Sequence, residues 1–186
     1  METYQAIMTR RSVHRPEPGR VPAREIVEKL LAAAVRAPSH HLTQPWRFIV
    51  LEGDALHDLG EAWASAAERE GADPDLVRQK ALRAPVIITV IEDPHLENPK
   101  VVEVEEHHSV GAAMQNILLA AHALGLGAML RTGPAAYKQE VRDYLKLTDD
   151  EIVAGFIYLG YPPENDDRPM TRRDEPDART EWRGWE

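Results

Sequence analysis

The ten residues from Ala84 to Asp93, APVIITVIED, are mostly Val, Ile and Thr with almost no polar alternation. A strand open to water on one face alternates polar and apolar residues, because successive side chains point to opposite faces. This run does not alternate, so it is expected to be a strand covered on both faces. A chain that must cover both faces of a strand needs a layered architecture.

The remaining pattern supplies elements for those layers. REIVEKLLAAAVRA, from Arg24 to Ala37, has apolar residues at helical spacing, with Pro22 suited to its first turn and Pro38 as its stop. Trp46 to Leu51 reads as a strand, and Asp54 is placed to cap a helix running to Glu70, with Gly71 as its stop. A short helix is expected over 75–83. After a loop, Val110 to Leu124 reads as a helix that is apolar almost all round, expected to be buried in the domain or in an oligomer interface. Ala128 to Leu130 and Ile152 to Leu159 read as strands, with one helix from Ala136 to Leu145 between them. The pattern is that of a single α+β or α/β domain over 1–186. Its tail, 163–186, is rich in Pro, Arg and Asp and has no periodicity, so it is expected to be disordered or extended over a partner.

Composition removes whole classes of function. With no cysteine there is no disulfide framework, thiolate metal site or Cys nucleophile. The net charge of −9 disfavours a polyanionic partner such as nucleic acid. METYQAIMTRRS is too polar for a signal peptide and no apolar run is long enough to span a bilayer, so the expectation is a soluble cytoplasmic protein. The positive charge is uneven: Arg10, Arg11, Arg15 and Arg20 crowd the start, and Arg168, Arg172 and Arg173 lie near the end. Such clusters in an acidic chain suit one bound anionic ligand, although surface arginines are common.

Four segments are candidates for chemistry. Arg10-Arg11-Ser12, followed by His14 and Arg15, offers several donors to a phosphate, although a solvated charged turn is the commoner reading of such residues. Between Pro38 and Pro45 a constrained loop holds Ser39, His40, His41, Thr43 and Gln44, which serve equally as ligand contacts or as ordinary capping groups. A metal site from His40, His41, His107 and His108 is disfavoured, because adjacent histidines rarely ligate one ion and no HExxH spacing is present. GLGAMLRTG, from Gly125 to Gly133, is not a dinucleotide fingerprint, since its glycines follow a helix. Gly125 reads as a helix C-cap, and Arg131 beside a glycine turn is the more informative residue. GFIYLGYP, from Gly155 to Pro162, reads as a core strand closed by a turn.

Taken in order, the RRS segment at 10–12, the PS…QPW loop at 38–46, the helix VGAAMQNILLAAHALGLG and the strand GFIYLGYP resemble the FMN-dependent nitroreductase family, especially its small members. The matches run from residue 10 to residue 162. The resemblance implies a three-layer α+β fold, a mixed sheet flanked by helices, in an intertwined homodimer with FMN at the interface. It implies that Arg10, Arg11 and Ser12 hold the flavin phosphate and ribityl chain. It implies that Arg36 and His40 reach the flavin of the partner subunit, and that Leu130, Arg131 and Thr132 form a further flavin-contacting segment. Ala120, Ala121, His122, Ala123, Leu124 and Gly125 fall where small members approach the nicotinamide.

Two departures stand out. This chain has His14 two places after the serine, with Arg15 next, where many relatives carry a basic residue, and it has Leu42 where many carry asparagine. Both point to the small subgroup, and the second removes a side-chain hydrogen bond to the ring. The implied activity is hydride transfer from NADH or NADPH through FMN to a nitro compound, quinone or similar acceptor, by ping-pong kinetics. The flavin performs the chemistry, so no catalytic side chain is expected, in keeping with a sequence that has no recognisable triad. Arg15 and Arg36 are candidates to stabilise negative charge on the reduced ring. The alternatives are another flavin-dependent reduction or dehydrogenation, a flavin-binding protein without turnover, and a metal-dependent hydrolase built on the histidine pairs.

Overall fold

A computed structural model describes residues 1–165 and 169–185. The strands are β1 (Trp46–Glu52), β2 (Val86–Glu92), β3 (Gly127–Arg131) and β4 (Ile152–Gly160), in the sheet order β1-β2-β4-β3. The helices are α1 (Thr3–Thr9), α2 (Arg24–Ala34), α3 (Asp54–Arg69), α4 (Pro74–Ala81), α5 (Glu103–Ala123) and α6 (Gln139–Leu145). Every residue of β2 is buried, as its unbroken apolar run requires. Val86, Ile88 and Val90 face α2 and α5 with Ile157 and Leu159 of β4, while Ile87 and Ile91 face α3, α4 and α6 with Phe156 and Tyr158. The result is three layers, helices on both sides of one sheet.

Each strand is antiparallel to its neighbours. Among the described residues, the parallel part of the expected mixed sheet is confined to one bridge, Ser12 to Ala128. The order explains this: α3 and α4 return the chain so that β2 runs opposite to β1, and α5 crosses over so that β3 runs in the same sense as β2. Strand β4 enters between those two in the opposite sense, which leaves the N-terminal segment alongside β3 as the parallel contact.

Several boundaries differ from the sequence reading, and three have a clear physical cause. Helix α5 begins at Glu103 rather than at Val110, because Glu103, Glu105 and Glu106 in its first turn complement the positive end of the helix dipole although they are not apolar. The single helix expected over 136–145 is divided into a 3₁₀ turn, Pro134–Tyr137, and α6, separated by Lys138 in extended conformation. At α3 the cap position is taken by Gly53 at φ 58°, and Asp54 is the first helical residue. Helix α1 carries no strong periodic signal, since Ala6 is its only buried residue.

The edge at β3 is where the fold prepares a site. The Val13 N–H donates to the Ala128 carbonyl at 3.1 Å, and the Glu17 N–H donates to the Tyr161 carbonyl at 2.8 Å, so residues 12–17 are stitched along the edge. Gly127 permits this approach, because a Cβ there would lie 2.7 Å from the Val13 Cβ. The carboxyl end of α1 is docked by a 2.8 Å hydrogen bond between Thr9 Oγ1 and His122 Nε2, on the last turn of α5.

The central strand sets the stability. Ile88 is fully buried, so Ile88→Ala is expected to cost about 2–5 kcal/mol, whereas Leu76→Ala, at a side chain 56% exposed, should stay within about 0.5 kcal/mol. Urea unfolding of the two variants against the parent checks both values, and equal losses would contradict this assignment of the core.

Candidate functional site

The chain from Ile7 to His14 crosses the β3 edge, and the tail returns to the same place. Together they enclose a cleft of about 740 Å3 lined by Arg10, Arg11, Ser12, His14, Gln115, Met129 and Arg173, with Ile7, Met8 and Pro169 to Thr171 completing the wall. The volume is within the range of small-molecule sites, roughly 300–1,000 Å3. Arg10 and Arg11 of the N-terminal cluster thus share one cavity with Arg173 of the tail. Arg172, next to it in sequence, is not among the lining residues, and Arg168 is outside the described residues.

The electrostatics are those of an anion site. Among the described residues, neither Arg10 nor Arg173 is paired with a carboxylate, although the chain as a whole is acidic. Burial, and next the Arg173 charge, hold the Arg10 guanidinium below its ordinary pKa. His122 is likewise held below the ordinary imidazole value, by burial first and then by the charges of Arg10 and Arg11. Like charges gathered in a partly desolvated cleft repel one another, and a bound anion reverses the sign of that energy. The donors are two or three guanidiniums and a hydroxyl, which is the chemistry that grips a phosphate.

The other expected residues are distributed in three ways. Ala120 to Gly125 form the end of α5 and its turn, and His122 brings that segment against the Arg10–Arg11 corner. Leu130 packs into the core beside α5, whereas Arg131 and Thr132 line a second cavity of about 350 Å3 with Trp63, Lys80, Gly133 and Tyr158. The two cavities share no lining residue: Met129 faces the first and Arg131, two places on, faces the second. The Arg131 guanidinium carbon stands 5.5 Å from the Tyr158 ring centroid. Tyr158 is pushed up to about 12 by burial, against the opposing charges of Arg131 and Arg83, so its hydroxyl stays protonated.

Arg36 and His40 lie in neither cavity. Arg36 is exposed just past α2, and His40 opens the 3₁₀ turn His40–Leu42, with its Nε2 3.7 Å from Glu105 Oε2. Within one chain these residues are not brought to Arg10. Arg15 also is not part of either wall. The sequence reading gave neither Arg173 nor Lys80 an individual site role. Arg173 belongs to an aperiodic tail, and Lys80 is one cation in an ordinary amphipathic helix, so only folding reveals what each faces. Among the described residues there is no cluster of three or more His, Asp or Glu able to hold a metal ion, and no helix long and apolar enough to cross a membrane.

The His122 environment is testable. In an NMR pH titration, His122 is expected to titrate below an ordinary histidine and to move upward in Arg10→Ala, because that variant removes a repelling charge. Inorganic phosphate in the cleft should also raise it, so phosphate binding should strengthen as pH falls through the His122 midpoint. An unchanged midpoint in Arg10→Ala would refute this electrostatic picture.

Comparison with known proteins bears on the same residues. The model of the nitroreductase family matches residues 7–161. YdjA of Escherichia coli (strain K12), an NAD(P)H nitroreductase by name, is 34% identical over 166 residues, covering 87% of this chain and 89% of that protein. A nitroreductase from Desulfovibrio desulfuricans, solved in complex with FMN, superposes with a TM-score of 0.74 at 30% identity, over 96% of this chain and 95% of that one. A nitroreductase-like family protein from Bacillus cereus reaches a TM-score of 0.86 at 23% identity, over 100% and 97% of the two chains, and shows the likeness of the fold.

Proposed function

The chain belongs to the nitroreductase family, and from that premise we propose that it is an FMN-dependent oxidoreductase that takes hydride from NADH or NADPH and reduces a small acceptor such as a nitro compound or a quinone. The single observation that carries this reading is the Arg10–Arg11–Ser12 cleft, which Arg173 of the tail completes. A solvated charged turn would not recruit a further arginine from the far end of the chain. The donor set suits one terminal phosphate, which favours FMN over a dinucleotide flavin. Bound there, the flavin supplies hydride acceptance and redelivery, which no side chain of this chain can perform.

The protein's part is binding, orientation and electrostatics. Arg10, Arg11 and Arg173 hold the phosphate, and Ser12 contributes a hydroxyl beside them. Farther along β3, Leu130, Arg131 and Thr132 are assigned to the flavin by the family resemblance; within one chain Arg131 and Thr132 line the separate second cavity, with Leu130 packed against the core. The segment Ala120–Gly125 borders the Arg10–Arg11 corner and is assigned to the nicotinamide cofactor, with His122 neutral at physiological pH. Arg36 and His40, remote from both cavities of their own chain, are assigned to the site of a second copy. The partner is thus a second subunit of the same chain, and the cytoplasm is the expected location.

An incomplete surface supports the dimer. Tyr4, Ile7 and Met8 on α1, Leu124 after α5, and Trp182 and Trp185 of the tail are large apolar side chains left exposed on one chain. On α5, Ala112, Ala113, Ala120 and Ala121 pack in or against the chain's own core, whereas a Cβ on Gly111 would meet nothing within 4 Å. Covering such surface is the usual work of an obligate interface.

Protein purified from cells is expected to be yellow, to release FMN and not FAD on heating, and to bleach with NAD(P)H and regain colour with an acceptor. Arg10→Ala should weaken FMN binding on the order of ten- to a hundredfold, the loss of one charge-assisted contact, with the unfolding midpoint little changed. Colour without bleaching would identify a flavin-binding protein without turnover, and protein that cannot be reconstituted with FMN would overturn the proposal.

Shared sites have a distinct signature. Arg10→Ala/Ser12→Ala and Arg36→Ala/His40→Ala homodimers should each bind FMN poorly. A mixed dimer of the two, isolated with two affinity tags, carries all the substitutions in one site and none in the other. It should recover about half of the parental FMN and NAD(P)H oxidation. No recovery in a verified mixed dimer would place both segments at a flavin within one chain.

A further inference from the structure

The loop between Pro38 and Pro45 holds three non-glycine residues in the left-handed region: His41 at φ 52°, Leu42 at φ 56° and Gln44 at φ 51°. Each such residue is disfavoured by contact between Cβ and the backbone, and Leu and Gln lack the short polar side chain that eases the conformation. Strain of this density persists only where surrounding contacts over-determine it, and it concentrates at functional sites. The loop also presents Leu42, an apolar side chain 80% exposed. Nothing in the local sequence requires this conformation, so something outside the loop must hold it.

The holder is a relay of hydrogen bonds ending on a buried carboxyl. The Gln44 N–H donates to Ser39 Oγ at 2.8 Å, and Ser39 Oγ lies 3.1 Å from Thr43 Oγ1. Thr43 Oγ1 donates to Glu106 Oε1 at 2.7 Å, its shortest contact. The other carboxyl oxygen, Glu106 Oε2, accepts the His95 N–H at 3.2 Å. Glu106 is fully buried, and among the described residues no Lys or Arg pairs with it. For stability alone, an apolar side chain of similar size would serve as well or better at such a position. A carboxyl retained there, spanning two loops, serves geometry.

We propose that Glu106, acting through Thr43, is a positioning residue for the flavin site: it clamps the strained 39–44 loop so that His40 and Leu42 stand ready for the cofactor and ring of a second subunit. The neighbouring Glu105 lies against the same loop, its buried Oε2 3.7 Å from His40 Nε2 and without a hydrogen-bond partner. Of two consecutive residues in the first turns of α5, Glu106 thus holds the loop by a hydrogen bond to Thr43 and Glu105 lies beside it at His40. The inference rests on the reading that His40 meets the flavin of the partner subunit.

The test measures FMN dissociation constants and the visible circular dichroism of bound flavin for Thr43→Val, Glu106→Gln, Glu106→Ala, His40→Ala and the double variant His40→Ala/Thr43→Val. Thr43→Val removes the relay hydroxyl and keeps the shape, and it is expected to weaken FMN about tenfold and alter the flavin dichroism while the thermal midpoint stays close to the parent. Glu106→Gln should remain within about twofold, because its amide can accept from His95 and donate to Thr43. Since Thr43 acts in part through His40, Thr43→Val should weaken FMN less in the His40→Ala background than in the parent. Parental FMN affinity in Thr43→Val, or a full additive penalty in the double variant, overturns the positioning role even if Glu106→Ala fails to fold. A parental protein that binds no FMN at all would instead sink the proposed function beneath it.

Discussion

Burial of β2 on both faces is the constraint from which the other features follow. Val86, Ile88 and Val90 can leave water only if α2 and α5 cover one face, and Ile87 and Ile91 only if α3, α4 and α6 cover the other. At about 25 cal/mol per Å2 of apolar surface removed from water, such a strand outweighs any local preference in its connections. Placing β2 and β4 centrally leaves β1 and β3 as edges. The β3 edge is then closed by the N-terminal segment, through the Ser12–Ala128 bridge and the Val13 hydrogen bond. The arginine pair at 10 and 11 is carried to the rim of the sheet because of that closure.

Charge is organised against the average of the molecule. A chain with a net charge of −9 gathers Arg10, Arg11 and Arg173 in one cleft. Burial first, and the neighbouring arginine charges second, hold Arg10 and His122 below their ordinary values. Elsewhere, cations are neutralised locally: Arg47 makes a two-point bond with Glu151, at 2.6 and 2.8 Å, and Arg78 is bonded to both Glu61 and Asp75. Arg10 and Arg173 differ from these: among the described residues neither is paired with a carboxylate.

Much of the architecture was legible in the amino-acid sequence. The unbroken Val86–Glu92 run, the helical periodicity of Arg24–Ala34 and Asp54–Arg69, and the strand at Ile152–Gly160 each carry their own pattern of burial. Less legible were elements whose stability comes from elsewhere. The first turn of α5 is polar, so periodicity placed its start at Val110, whereas dipole complementarity extends it to Glu103. Helix α1 buries only Ala6 and shows no pattern to find. The candidate site was partly legible: clustered arginines announced an anion, but their companions in the tail gave no sign of proximity.

By itself, the sequence determined which segments must be buried, that no thiol chemistry is available, and that arginines concentrate at the two ends. These are properties of local composition and period, which a linear chain carries with it. Only the tertiary structure decided that Arg173 meets the Arg10–Ser12 corner, that the four strands are antiparallel, and that Arg36 and His40 face away from their own cavities. It also decided that the carboxyl of Glu106 holds the loop at Thr43, sixty-three residues away in sequence. Such contacts depend on how layers close in space, and a hydrogen bond or a like-charge repulsion between distant residues has no periodicity through which to announce itself.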